Sequence, residues 1–456
     1  MASILAQISM IDHQAESAVE MSDGLRQKLK LPLSLENVNI RLGRNSTSFP
    51  IVFISGEDFL LRFSLESAEK LLLFEQALQL NIRKSAKNQL ILGPVIAVMT
   101  EAKWIEDQIS FGSLHDFCRE LAQYCERKGY CFYVFSLKDI DLTAAPLLMK
   151  GYAWDGTGWI KTQVPLPDVI HNRIHSRHKE TKNLPNLTRA LSAYAIPIFN
   201  HRYLNKWEVH EKLWENPHLR PFLPVTELLS AKAGLEDFLN EHEDFFIKPI
   251  TGSQGKRIFR ITHKEPFLHL SYTTFSDDFK QAYPSFNDLF QALYPRLHKE
   301  SFILQKTICI KSFQNRPLDF RVLCHKDSAN SWKVTSMIAR VSGENQFVAN
   351  LAQGGRIHPV GEILEQLYGY KKGLHFRKLL KELSLEICTH LEKLAEGLYG
   401  EFGIDLAIDE EERVWIIEAN IKPSKNAEFQ PGNTQIRPSA KAIIDYGLYL
   451  SRLHEE

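Results

Sequence analysis

Two apolar segments near the C-terminus, "GIDLAID" and "VWIIEANIKPS", leave the chain few ways to fold around them. Val414, Ile416 and Ile417 suit a strand covered on both faces, yet Glu418 and Asn420 interrupt that run two residues apart, and Asp405 interrupts the first. A carboxylate set into such a strand costs several kcal/mol unless its charge is compensated. The two-residue period of a strand puts Glu418 and Asn420 on one face. If the strands pair across the turn at "DEEER", Asp405 lies near them. Two carboxylates and an amide oxygen suit Mg2+, which takes one or two carboxylates together with substrate phosphates. The alternative is a pair of buried acids salt-bridged to Arg or Lys.

The preceding sequence supplies candidates for the other side of such a site. "DFFIKPITGSQGKRIFRIT" reads as strand, glycine-bearing loop, strand. Gly252 and Gly255 flank Ser253 and Gln254, and glycines let consecutive backbone N–H groups approach an anion. Lys248 and Lys256 add positive charge on either side. No Lys-Ser/Thr follows the last glycine to open a helix, so this is a hairpin flap and not a P-loop. By itself, a Gly/Ser turn with lysines is more often a plain hairpin. Asp319 and Arg321 share a strand face in "PLDFRVLCHKD", and Arg340 ends the next strand. Arginine forks bind phosphate or carboxylate bidentately; the alternative is an ordinary Asp319–Arg321 surface pair.

The order of elements points to several domains. Residues 1–88 mix short strand patterns with one helical run and form a small strand-rich unit. From "LILGPVIAVMT", strand alternates with helix, as in a parallel α/β domain over 89–200. "PLPDVIHNRIHSR" ends one of these strands in polar residues, where open α/β sheets bind ligands. Asn172, Arg173 and Arg177 are therefore candidates for an acceptor pocket, with helix capping and surface charge as the alternative. "NKWEVHEKLWENP" and "LPVTELLSAKAGLEDFLNE" both read as helical. A long helix then precedes the two acid-bearing strands, and a closing helix, "SAKAIIDYGLYLSRL", ends the sequence.

Lys plus Arg equals Asp plus Glu, at 55 each, which argues against a nucleic-acid or anionic-membrane partner. No apolar run reaches the ~18 residues of a membrane span. The six cysteines form no CxxC or zinc spacing, so a reduced, cytoplasmic setting is expected.

Taken in order, "DFRVLCHKD", "IARV", "NLAQGG", "GIDLAID" and "WIIEANIKPS" are similar to ribosomal-protein glutamate ligases and their relatives. "GPVIAVMTEA", "IPIFNHRYLNKWEVHEKLWENPHLRPFLPVTE" and "FIKPITGSQGK" more closely resemble the YheC/YheD endospore coat-associated ATP-grasp group. The resemblance implies an α+β / α/β chain: two α+β lobes clamping ATP, at 201–305 and 306–456, after a parallel α/β domain and the strand-rich unit. It implies that Lys206 and Lys248 reach ATP phosphates under a flap of Gly252, Ser253, Gly255 and Lys256. Gln305, Lys306, Thr307 and Ile308 match the hinge that reads adenine. Arg321 and Arg340, with Lys248, match the catalytic cations, and Asp405, Glu418 and Asn420 the ligands of Mg2+, two ions being expected. Asn350 matches an asparagine at the substrate end. The implied activity joins a carboxylate to an amine through an acyl phosphate; a non-catalytic coat-associated ATP binder and an ATP-grasp kinase are the alternatives. A spore-associated location would follow from the resemblance. Arg257 stands where many relatives have glycine, and Gln305 replaces an acidic residue entering the hinge.

Overall fold

The computed structural model describes residues 3–11, 18–73, 79–252, 257–273, 278–298, 300–343, 355–425, 428 and 436–452. Its N-terminal part is a closed barrel of seven strands, from Ile4–Met10 to Leu90–Leu92. Alternation closes it: Val38, Ile40 and Leu42 point inward while Asn37 and Asn39 are exposed. The stretch "LILGPVIAVMT" is not one strand. Leu90–Leu92 completes the barrel, and Val95–Met99 opens the next sheet, so the parallel unit begins after residue 89. Gly93, at φ +101°, and Pro94 make the break.

Val95–Met99 is central to a sheet with parallel neighbours Cys131–Phe135 and Val169–Asn172, and Ile198–Phe199 lies beyond the latter. Each central strand is buried along its length, as a parallel sheet covered on both faces requires. Helix His115–Lys128 covers one face, and so does the closing helix Pro438–Arg452. That closing helix, counted from the sequence with the last lobe, packs Ala440, Ile443 and Ile444 in a common core with Ile96, Val98 and Val169.

The two C-terminal sheets are antiparallel. The first runs in the order Thr226–Leu229, Phe302–Lys306, Asp244–Pro249, Phe259–Lys264, Phe267–Thr273, Asp278–Tyr283. Thr226–Leu229 corrects the helical reading of "LPVTELL": these residues add an edge strand to Phe302–Lys306, and the helix starts only at Lys232. The second sheet runs Arg356–Pro359, Trp332–Val341, Arg316–Lys326, Glu401–Ile408, Val414–Asn420. Helix Tyr370–Leu394 lies on its apolar face, joined by Val209 and Leu213 from helix Lys206–Trp214. The helix Lys206–Trp214 thus belongs physically to the later lobe, although it precedes the earlier one in the chain. Among the described residues, no helix is long and apolar enough to cross a membrane.

Candidate active site

Between the two antiparallel sheets and the C-terminal edge of the parallel sheet lies a cleft of about 1620 Å3. Its floor is built by strand alternation. Phe320 and Val322, like Ile404 and Leu406, point into the core, which leaves Arg321 and Asp405 facing the cleft. The strand Val414–Asn420 breaks the rule. Val414 and Ile416 lie in the core, but so do Ala419 and Ile421. A register shift pairs Asp405 with Glu418 and Leu406 with Ile416, leaving Ile417 as the extra residue of a bulge. One inserted residue reverses the face of every residue after it. Without the bulge, Glu418 would follow Ile416 into the core; with it, Glu418 and Asn420 face the cleft.

The charges that compensate these acids are basic side chains. Arg321 stands directly across the ladder from Asp405 and grips it with Nε and with Nη2, the latter at 2.8 Å. Arg340 stands across from Asp319, donates to it through two nitrogens at 2.6 Å, and reaches Asp405 at 3.2 Å. The alternative of an Asp319–Arg321 surface pair does not occur: each residue bonds across the ladder to a neighbouring strand. Lys206 donates to Glu418 at 2.7 Å and to the Gly252 carbonyl at 2.9 Å. Burial works to raise the pKa of both Asp405 and Glu418, but the adjacent cations outweigh it and hold both carboxyls below their ordinary values.

Lys248 closes the cleft from the opposite sheet. Phe245 and Ile247 face that sheet's core, so Phe246 and Lys248 face inward to the cleft. Burial, helped by the charge of Lys206, pushes Lys248 down to about 8. Its Nζ donates to Gln305 Oε1 at 2.5 Å, and the Gln305 amide is itself anchored on Thr226 at 3.0 Å. Glutamine in place of an acid leaves this lysine with a neutral partner. Lys306, Thr307 and Ile308 continue along the cleft wall, Thr307 being held by Asp244 at 2.7 Å. Arg257 adopts φ +59°, the conformation glycine favours, and its guanidinium pairs with Glu300; a left-handed non-glycine residue costs roughly 1–2 kcal/mol. Ser253, Gly255, Lys256 and Asn350 lie outside the described residues.

The acceptor-pocket candidates separate. Asn172 is fully buried, with its amide donating to Glu180 at 2.7 Å and to the His201 carbonyl at 3.0 Å. The Arg173 side chain is 1% exposed, its guanidinium committed to Glu401 and to the Pro423 carbonyl. Asn172 does not line the cleft and its amide is satisfied inside the protein, whereas Arg173 does line the cleft while its guanidinium is held by Glu401 and the Pro423 carbonyl. Arg177 does line the cleft.

That junction was not anticipated. Glu401, fully buried, accepts from Arg173, from Lys425 at 2.5 Å and from Asn200 at 2.9 Å, with His171 and His325 each at 3.2 Å. It ties the parallel sheet to the cleft floor. The signal was present in "EFGIDLAID", where Glu401 opens an apolar strand just as Asp405 interrupts it.

A family model described as YheC/D like ATP-grasp matches residues 195–450, more than half of the 456. The chain belongs to the YheC/D-like ATP-grasp family. The fold is accordingly the ATP-grasp fold, with its two α+β lobes facing each other across the cleft described above. Endospore coat-associated protein YheD of Bacillus subtilis strain 168 is 29% identical over 368 residues, 79% of this chain and 79% of the relative. YheC of the same strain is 21% identical over 314 residues, 68% of this chain and 86% of the relative. Among solved structures, the VanG D-Ala:D-Ser ligase of Enterococcus faecalis matches with a TM-score of 0.45 and 11% identity, covering 79% of this chain and 97% of that one.

Proposed function

We propose that this ATP-grasp chain is an ATP- and Mg2+-dependent ligase joining a carboxylate to an amine. The observation that supports it most is the convergence in one cleft of Lys206, Lys248, Arg321 and Arg340 with Asp405, Glu418 and Asn420. A carboxylate and a triphosphate repel each other, and fixed cations aimed at the transferring group lower that cost. Phosphoryl transfer otherwise needs mainly alignment.

In this reading Lys206 and Lys248 hold the phosphates beneath Gly252, Ser253, Gly255 and Lys256, and residues 305–308 contact adenine. The carboxylate oxygen attacks the γ-phosphorus, the bond to the β-phosphate oxygen breaks, and ADP leaves. The amine nitrogen then attacks the acyl carbon, inorganic phosphate departs, and the amine gives up a proton. Arg321 and Arg340 stabilise the transferred phosphoryl group, and Asn350 contacts the substrate end.

The donor set fits Mg2+. Asp405 and Glu418 oppose each other across one ladder, and Asn420 makes no side-chain hydrogen bond among the described residues. These are hard oxygen ligands, too few to enclose an ion without phosphate, as expected where Mg2+ arrives with nucleotide. Bound there, the ion would neutralise phosphate charge. Lys206 would exchange Glu418 for a phosphate oxygen.

ADP release should require carboxylate, amine and Mg2+ together. A stable phosphorylated product without amide would favour a kinase, and nucleotide binding without turnover a structural role. ATP affinity should also fall as pH rises past about 8, the value at which Lys248 loses its proton in the free chain. Below that pH the ammonium is already present; above it, binding an anion must take up a proton, costing up to roughly tenfold per unit. Lys248→Met should weaken ATP binding and remove this slope, as calorimetric titration between neutral and alkaline pH would show. A location at the endospore coat is carried over from the names of the two relatives, and fractionation of sporulating cells tests it.

A further inference from the structure

The cleft is larger than its nucleotide needs. Sites for single small ligands run to roughly 300–1,000 Å3, against about 1620 Å3 here. Toward the parallel sheet its lining is mainly cationic. Lys103 projects from the exposed hairpin Lys103–Ile105 and Gln108–Ser110, whose Ile105 faces the cleft while 56% exposed. Arg177 and Lys179 come from the start of helix Arg177–Ser192. Among the described residues none of these three cations has an ion-pair partner. The one acid on this wall, Glu101, is occupied, accepting the backbone N–H groups of His175 at 3.1 Å and Ser176 at 3.0 Å.

Arg177 carries the inference. Its guanidinium lies 4.8 Å from the centre of the Tyr203 ring, and its Nη1 is buried without a hydrogen-bond partner. Leaving a buried guanidinium N–H unmatched is costly. Lys422, two residues beyond Asn420, lies 4.6 Å from the same ring but is matched by Glu180. Arg177 therefore stands one aromatic ring from the end of the strand that carries Glu418 and Asn420, with donor capacity to spare.

We propose that this half of the cleft receives an acidic peptide, with Arg177 binding a carboxylate of the chain and Lys103 and Lys179 its neighbouring acids. The inference rests on the ligase reading above and deepens it: the group activated is a side-chain or terminal carboxylate of that peptide. Extended chains need length and repeated charge contacts, which a wall of separated cations supplies, whereas a free amino acid would use only one of them.

The test measures binding of fluorescein-labelled hexaglutamate to the full chain by anisotropy, without nucleotide or amine. Hexaglutamate should bind and hexaglutamine should not. Arg177→Gln and, separately, Lys103→Gln on the exposed hairpin should each weaken binding, the former by about tenfold, the loss of one charge-assisted hydrogen bond. Saturating ADP with Mg2+ should leave the peptide bound. Equal binding of hexaglutamine, equal affinity of both variants, displacement by ADP, or equally tight binding of a single-stranded oligonucleotide of the same charge would each overturn the proposal. A chain that binds hexaglutamate yet never releases ADP with it would support this surface while overturning the ligase reading; one that releases ADP with another carboxylate but ignores hexaglutamate would do the reverse.

Discussion

Glu418→Gln is expected to cut Mg2+-dependent ADP formation by roughly 100-fold or more while leaving the melting temperature within a few degrees of the parent. Glutamine keeps the size of the side chain and an oxygen for Lys206, which now donates to Glu418 at 2.7 Å. The side chains of that pair are 17% and 28% exposed, so the pair is largely desolvated, and it is the acceptor oxygen retained for Lys206 that limits the loss to on the order of 1–2 kcal/mol. What glutamine cannot supply is a full negative charge opposite Asp405. Asp405→Asn would be a poorer test, since it strips a buried counter-charge from both Arg321 and Arg340 and mixes folding with catalysis. Turnover of Glu418→Gln close to that of the parent would remove the metal assignment.

Glu401→Ala is expected to have the largest effect on stability, on the order of 3–5 kcal/mol. Arg173 and Lys425 are each about 1% exposed, and alanine would leave both charges buried around a void. Melting should fall by roughly ten degrees, and hydrogen exchange should accelerate in Val169–Asn172 and Glu401–Ile408, the strands the carboxylate joins. An unchanged melting curve would show that the junction holds without its acid.

The same junction gives the chain an acid-sensitive side. His171 is buried, stacked on Phe199 at 4.4 Å, and burial pushes its pKa from 6.5 down to about 4. Burial also lowers His325. Below pH 6.5 the unfolded chain gains protons that the folded chain refuses, so stability declines toward pH 4. Glu401 contributes nothing to that decline at first: the surrounding cations hold its folded pKa well below the ordinary carboxylate value, so its stabilisation is complete above that ordinary value and is lost as pH falls from there through the folded one. His171→Gln should flatten the decline in melting temperature across this window.

Much of this was legible in the sequence because it depends on local periodicity. The order of strands and helices, the hairpin holding Lys248 and the acids interrupting two terminal strands all follow from a period of two or 3.6 residues. So does the pairing of the last two strands, which a short turn connects. Arg321 and Arg340 were named from their places on the strands, but which acid each one meets was not.

What only tertiary structure decided is which face and which neighbour each pattern meets. The bulge at Ile417 puts Glu418 in the cleft, and a bulge depends on register against the partner strand, which no period along one strand encodes. The closing helix has an apolar stripe in its sequence, but only packing shows that the stripe meets the parallel sheet. Asn172 looks like a ligand group at a strand end until Glu180 and the His201 carbonyl arrive from elsewhere in the chain to satisfy it, and Arg173 reaches the cleft only with its guanidinium already held by Glu401. A sequence states which residues carry charge; the desolvated partner that decides each one's role comes from distant segments brought together by the fold.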